Sequence, residues 1–187
     1  MNITPDEAQQ SLSAIQQVTT QTRRAVAHGG GPYFMFIWGG VWFLGFLTSH
    51  FLASAALLGG IWTTLSGLGM VATFLTGARL GRRVHGPLGA RIGLFWLALT
   101  GYGVLWVWLT RPTSGEQMSM MIVTIAMFGY VVMGLWLGGI FAWVGLGTTA
   151  LALLGYFLFP TYFNLWMAFL GGGALVGSGV YILRRWR

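Results

Sequence analysis

Few residues in this chain are of a type that does chemistry. It has no cysteine, and its ten basic residues are all arginine. That removes thiol catalysis, disulfides, iron–sulfur clusters, Cys-ligated zinc and lysine Schiff bases together. Three histidines remain, His28, His50 and His85. A haem or metal needs ligands converging at one depth. His50 is expected a membrane thickness from the other two, and no carboxylate or thiol accompanies His28 and His85. They read as interfacial histidines, so neither metal nor cofactor is expected. Gly177-Ser178-Gly179 invites a serine-hydrolase reading. Val176 stands where the motif's first glycine belongs, however, and no later segment remains to supply a histidine base.

The polar residues left near the middle of the apolar segments are hydroxyls. Thr63, Thr64, Thr100, Thr148 and Thr149, with Ser66 and Thr124, fall at mid-depth. Threonine in a helix usually bonds its own backbone. Facing inward, these side chains would instead line a small midplane site for a neutral or lipophilic solute. The same apolar stretches contain no Asp, Glu, Lys or Arg. Intramembrane charges mark proton relays, ion coupling and voltage sensing, so a proton-driven pump and a carrier of charged cargo are disfavoured. Paired carboxylates for acid–base catalysis are missing as well, and no enzyme is expected.

The elements that position these residues follow from composition. The chain has 187 residues, 56% hydrophobic and only 7% charged, with mean hydropathy +0.72. A soluble domain carries about 25% charged residues. A bilayer is the solvent that suits this surface, and a spanning helix needs roughly 20 apolar residues. Six such segments are expected: 33–52, 55–76, 92–109, 118–137, 139–159 and 162–183. Ser54 marks the first short turn, 77–91 a basic loop, and 111–116 a polar loop. Gly138-Gly139 and Pro160-Thr161 mark tight reversals. The fourth break is the least marked, because 118–159 is uninterrupted by charge; some 40 residues suit two crossings rather than one.

The arginines orient the bundle. Arg23 and Arg24 precede the first span, Arg79, Arg82, Arg83 and Arg91 lie between the second and third, and Arg184, Arg185 and Arg187 follow the sixth. With six spans these nine share one side, opposite Arg111. The positive-inside rule then places both termini in the cytoplasm of a bacterial-type plasma membrane. The basic segments at 79–83 and 184–187 suit anionic lipid headgroups rather than nucleic acid.

Residues 1–28 lack the apolar core of a cleavable signal. They read as one helix, with Pro5 at its first position and Thr4 and Glu7 as a capping box. Ala8, Leu12, Ile15, Thr19, Thr22 and Val26 follow a 4,3,4,3,4 spacing, a heptad-like stripe diluted by threonine. The helix either covers the cytoplasmic face or pairs with another copy or a partner. Gly29-Gly30-Gly31-Pro32 ends it. Gly134-x-x-x-Gly138 and Gly173-x-x-x-Gly177 are expected to let helices approach closely, within the chain or between copies. Most of the ten tryptophans fall near span ends, as an aromatic belt would; Trp62, if it faces inward, needs a partner for its N–H.

The halves also echo each other. Segment 95–103 aligns without gaps with 165–173, matching Trp96 to Trp166, and Thr63-Thr64 corresponds to Thr148-Thr149. Three spans per half would make such a repeat inverted, 33–109 against 118–183. The expected organisation is an all-α, six-transmembrane-helix bundle at 32–183, a cytoplasmic amphipathic helix and hinge at 1–31, and a basic tail at 184–187. In size and helix count this resembles the vitamin-capturing subunits of energy-coupling-factor transporters, with no shared motif. The expected role is a non-catalytic, assembling or accessory membrane component that forms a homo-oligomer or joins a membrane partner. A small transporter or binding subunit for a neutral solute is the alternative.

Overall fold

The computed structural model describes residues 4–28, 30–81 and 87–185, and these are helical with no strands. Seven helices come first to view: α1 (Pro5–His28), α2 (Gly31–Phe51), α3 (Ala55–Gly81), α4 (Pro87–Thr110), α5 (Gly115–Leu137), α6 (Gly139–Leu158) and a sixth span, Pro160–Arg185. That last span is composite: a single 3-10 turn leads into α7 (Phe163–Trp166), a π-helical stretch at Met167–Gly172, and α8 (Gly173–Arg185). Six helices, from α2 through the composite span, are long and apolar enough to cross a membrane.

Local chemistry sets the ends. At α1 the Thr4 N–H and hydroxyl each donate to Glu7 Oε2 at 2.9 Å, and the Glu7 N–H returns to Thr4 Oγ1 at 3.3 Å. That reciprocal pairing satisfies donors the first turn leaves free. Ser114 caps α5 by accepting the Gln117 N–H at 3.2 Å. Gly138, at φ 118, makes the reversal between α5 and α6 that an L side chain would resist. The segment 118–159 is therefore two helices, as its length required. One expectation changes. Positions 77–81 and 87–91, read as loop, continue α3 and begin α4. Pro87 suits a first helical position, and Arg79 and Arg91 lie exposed on helix ends, where a long stem reaches polar surroundings without breaking the helix.

The core is built by α2, α5, α6 and the sixth span; α3 packs on α2, and α4 on α5. No residue in the most apolar stretch of α4 is buried, and hardly any in that of α3. Packing is closest where glycine removes the side chain. A methyl on Gly39 would lie 3.0 Å from the Gly172 carbonyl oxygen, and one on Gly172 3.0 Å from that of Gly39. Between α5 and α6, a methyl on Gly145 would meet the Met127 carbonyl at 2.6 Å and the Val131 nitrogen at 2.9 Å.

The two Gly-x-x-x-Gly motifs part company. Gly134 faces Ala142, whose Cβ would lie 2.5 Å from an added methyl, and Gly138 is the turn itself. Gly173 and Gly177 face open space on the outer side of α8, so they are not part of the packing within the chain. The contrast is testable. Gly145→Ala should destabilise the detergent-solubilised protein by about 1–3 kcal/mol, because backbone cannot yield to the methyl. Gly173→Ala should be neutral or stabilising by up to about 1 kcal/mol. Thermal unfolding of the two variants beside the parent checks both signs.

Candidate functional site

Tryptophan and glycine repeat one contact at three interfaces. The Trp62 ring lies over Gly45, where a methyl would come within 2.6 Å of it, and its N–H donates to Ser49 Oγ at 3.0 Å. Ser49, one turn beyond Gly45, in turn donates to the Gly45 carbonyl at 2.8 Å. Trp96 lies over Gly129 and donates to Met133 Sδ at 3.1 Å. Trp166 lies over Gly155 and donates to the Leu151 carbonyl at 2.7 Å. In each case the acceptor is one helical turn from the glycine, so the indole body fills the gap while its N–H finds a partner nearby. Trp38 adds a fourth bond, to Thr73 Oγ1 at 3.2 Å. These four are therefore fasteners between helices. Trp62 does face inward, with the partner its N–H requires. The sequence offered one signal for this, a tryptophan three to four residues from small residues on an apolar helix, and it is a weak one.

The expected midplane threonines do not share a space. Thr63, Thr64 and Thr100 are exposed on the outer faces of α3 and α4. Thr63 donates to the Gly59 carbonyl and Thr100 to that of Trp96, each at 2.8 Å. Thr149 is half-buried and bonds the Gly145 carbonyl at 2.8 Å. Thr148 differs. It is 1% exposed, and its hydroxyl has no hydrogen-bond partner. Among the described residues it is the one buried side-chain oxygen or nitrogen left so. The echo pair also separates: Trp96 docks on α5, the following span, whereas Trp166 docks on α6, the preceding one.

Other candidates resolve into local contacts. Ser178 donates to the Ala174 carbonyl at 2.6 Å on its own helix. His50 stacks on Tyr162, ring centres 6.3 Å apart. His85, Arg82, Arg83 and Arg187 lie outside the described residues, and of His28 only the helical backbone is described. Arg79, Arg91, Arg184 and Arg185 are exposed at helix ends. Among the described residues no three His, Cys, Asp or Glu side chains gather as a metal site would require. A groove of about 460 Å³ runs between α4 and α5, lined by Leu99, Tyr102, Gly103, Trp106 and Phe128 among others. Its one threonine, Thr124, already donates to the Met120 carbonyl at 2.7 Å, so the groove offers hydrocarbon and aromatic surface.

What stands out beside the bundle is α1. Every described side chain from Thr4 to Gln21 is exposed, Leu12 at 60%. The helix touches α2 and α5. The family models, the curated proteins and the solved structures contain nothing that matches this chain.

Two predictions follow from these positions. Thr148→Val keeps the shape and removes a buried hydroxyl that earns no hydrogen bond, so stability should be unchanged or rise by about 1 kcal/mol; a loss of that size in thermal unfolding would mean the hydroxyl has a partner. At α1, the Thr4 N–H and hydroxyl hold the Glu7 carboxyl below its ordinary pKa. A depressed folded pKa gives a contribution present above the unfolded value and lost as pH falls through the folded one. NMR shifts of residues 5–8 should thus report fraying on acidification below the usual carboxylate range. Glu7→Ala should flatten that dependence.

Proposed function

We propose that this protein is a non-catalytic membrane component that assembles with other protein through α1. One observation carries the reading: a capped 24-residue helix touches a six-span bundle at α2 and α5, and every side chain described on it is exposed. A helix whose only role was to shield the bundle end would bury one face against it. The composition of the spans agrees with a role that needs no reactive group, since no Asp, Glu, Lys or Arg lies in their apolar stretches. On this reading both termini face the cytoplasm of a bacterial-type plasma membrane. Arg79, Arg91, Arg184 and Arg185 then lie at the anionic headgroup level, which suits exposed arginines at helix ends.

The alternative, a carrier for a neutral solute, has Thr148 in its favour and little else. Its other expected threonines, Thr63, Thr64 and Thr100, face outward, where they cannot line an inner site, and it is set aside.

Deletion of residues 2–28 tests the proposal. The shortened chain should still insert as six spans but lose its co-purifying protein, or its self-association, in mild detergent. An unchanged complex after the deletion overturns an assembling role for α1. A carboxyl-terminal reporter active only outside the cell would overturn the orientation.

A further inference from the structure

We propose that the groove between α4 and α5 seats one acyl chain of an anionic phospholipid whose phosphate is held by Arg91. This occupant is independent of the assembling role of α1.

The groove follows from how α4 is attached. It packs on α5, and no residue in its most apolar stretch is buried. The two helices run antiparallel and are tied towards their ends. Near the start of α4, Trp96 lies over Gly129, and Phe95 meets Trp136 edge-on with ring centres 5.5 Å apart. Near its end the Thr110 hydroxyl donates to Met121 Sδ at 3.3 Å. Between these ties Ala98 and Gly103 contribute little side chain, and a methyl added to Gly103 would come no closer than 3.4 Å to Ile125. A methylene fills roughly the 30 Å³ of a water in the liquid, so the 460 Å³ left open is of the order of about fifteen methylenes. Tyr102, Trp106 and Phe128 are exposed along it, which leaves it open to lipid from the side.

Arg91 extends the same face. It is exposed, and it is the last charged residue before the apolar run of α4. Positions 91, 95, 98, 102 and 106 follow a 4,3,4,4 spacing that keeps them on one side of the helix. By helix rise Phe95 lies about 6 Å and Tyr102 about 16 Å beyond Arg91. One leaflet of the hydrocarbon core is about 15 Å deep. A lipid with its phosphate at Arg91 therefore lays its chain along Phe95, Ala98 and Tyr102. The guanidinium fork suits phosphate oxygens. Glu116, the one acid on α4 or α5, lies at the opposite end of the pair, so the charge at the Arg91 end favours an anionic headgroup over a zwitterionic one.

A transmembrane helix fits this groove less well. With its side chains a helix is about 10–12 Å across, wider than the space between two helices already in contact. Close helix approach also requires small residues, whereas Tyr102, Trp106 and Phe128 stand along the groove.

The full-length protein is reconstituted in vesicles of phosphatidylcholine and phosphatidylglycerol in equal parts, with matched acyl chains. It is then extracted in mild detergent, and the retained lipid is counted by native mass spectrometry. The parent should keep a single phosphatidylglycerol, about fivefold in preference to phosphatidylcholine. Arg91→Gln should abolish the preference. Ala98→Phe, which fills the groove from an exposed position, should release the lipid, and Leu97→Phe, exposed and off the groove, should change nothing. Equal retention of both lipids by the parent, or of neither, overturns the proposal. Lipid kept by Ala98→Phe places the chain outside the groove, and a preference kept by Arg91→Gln places the headgroup elsewhere; each overturns it. Release of a second copy or another protein by Ala98→Phe, in place of lipid, overturns the lipid occupant. Thermal unfolding of each variant beside the parent confirms that the bundle is folded.

Discussion

Helix association in lipid gains almost nothing from hydrophobic exclusion, because the tails are as apolar as the side chains. What holds this bundle is close approach, and close approach depends on glycine. Dispersion falls off within a fraction of an ångström of a missed contact, so a backbone that can touch its neighbour gains on many atom pairs at once. Gly39 against Gly172 and Gly145 against Met127 are such points. The tryptophans extend the principle. Each of Trp62, Trp96 and Trp166 covers a glycine with a large flat surface, and each ties its N–H to the same neighbouring helix. Polar bonding in hydrocarbon is worth only about 1–2 kcal/mol per pair, but it fixes the rotation of a helix that packing alone would leave free to turn.

This economy explains the unequal spans. Core helices α2, α5, α6 and the sixth span meet on several sides, whereas α3 and α4 are each fastened along one face, by Trp62 and Trp96 respectively. The π-helical stretch at Met167–Gly172 belongs to the same scheme. It contains Gly171 and Gly172, where added Cβ atoms would press on Met167 and on the Phe43 backbone. The extra residue widens one turn of the helix at the crossing with α2, a place where only bare backbone fits.

Much of the architecture was legible in the residues. Six apolar runs, the Ser54 and Gly138 breaks, and the Thr4–Glu7 cap depend on local composition and spacing, and these lie in the sequence itself. Which glycine packs and which faces outward does not. Gly134 and Gly173 occupy identical motifs, yet only the first meets a neighbour, because the motif says nothing about where the neighbouring helix lies. The threonines divide for the same reason. Thr63 and Thr148 both lie within apolar helices, but rotation about the helix axis puts one outside and the other in the core. Trp62 was flagged only conditionally, since an aromatic near a span end serves a belt as readily as a fastener.

The break at Gly30 separates two kinds of stability. All thirty glycines lie beyond residue 28, where helices are held by their neighbours and can tolerate a poor helix former. Before it, α1 has none, and it is stabilised by means that work in water: a capping box, acidic residues in its first turn, and basic residues near its end. Those devices are each worth about 1 kcal/mol or less, and a helix of this length with several threonines is marginal on its own in water. Its contacts with α2 and α5 add to what those devices supply.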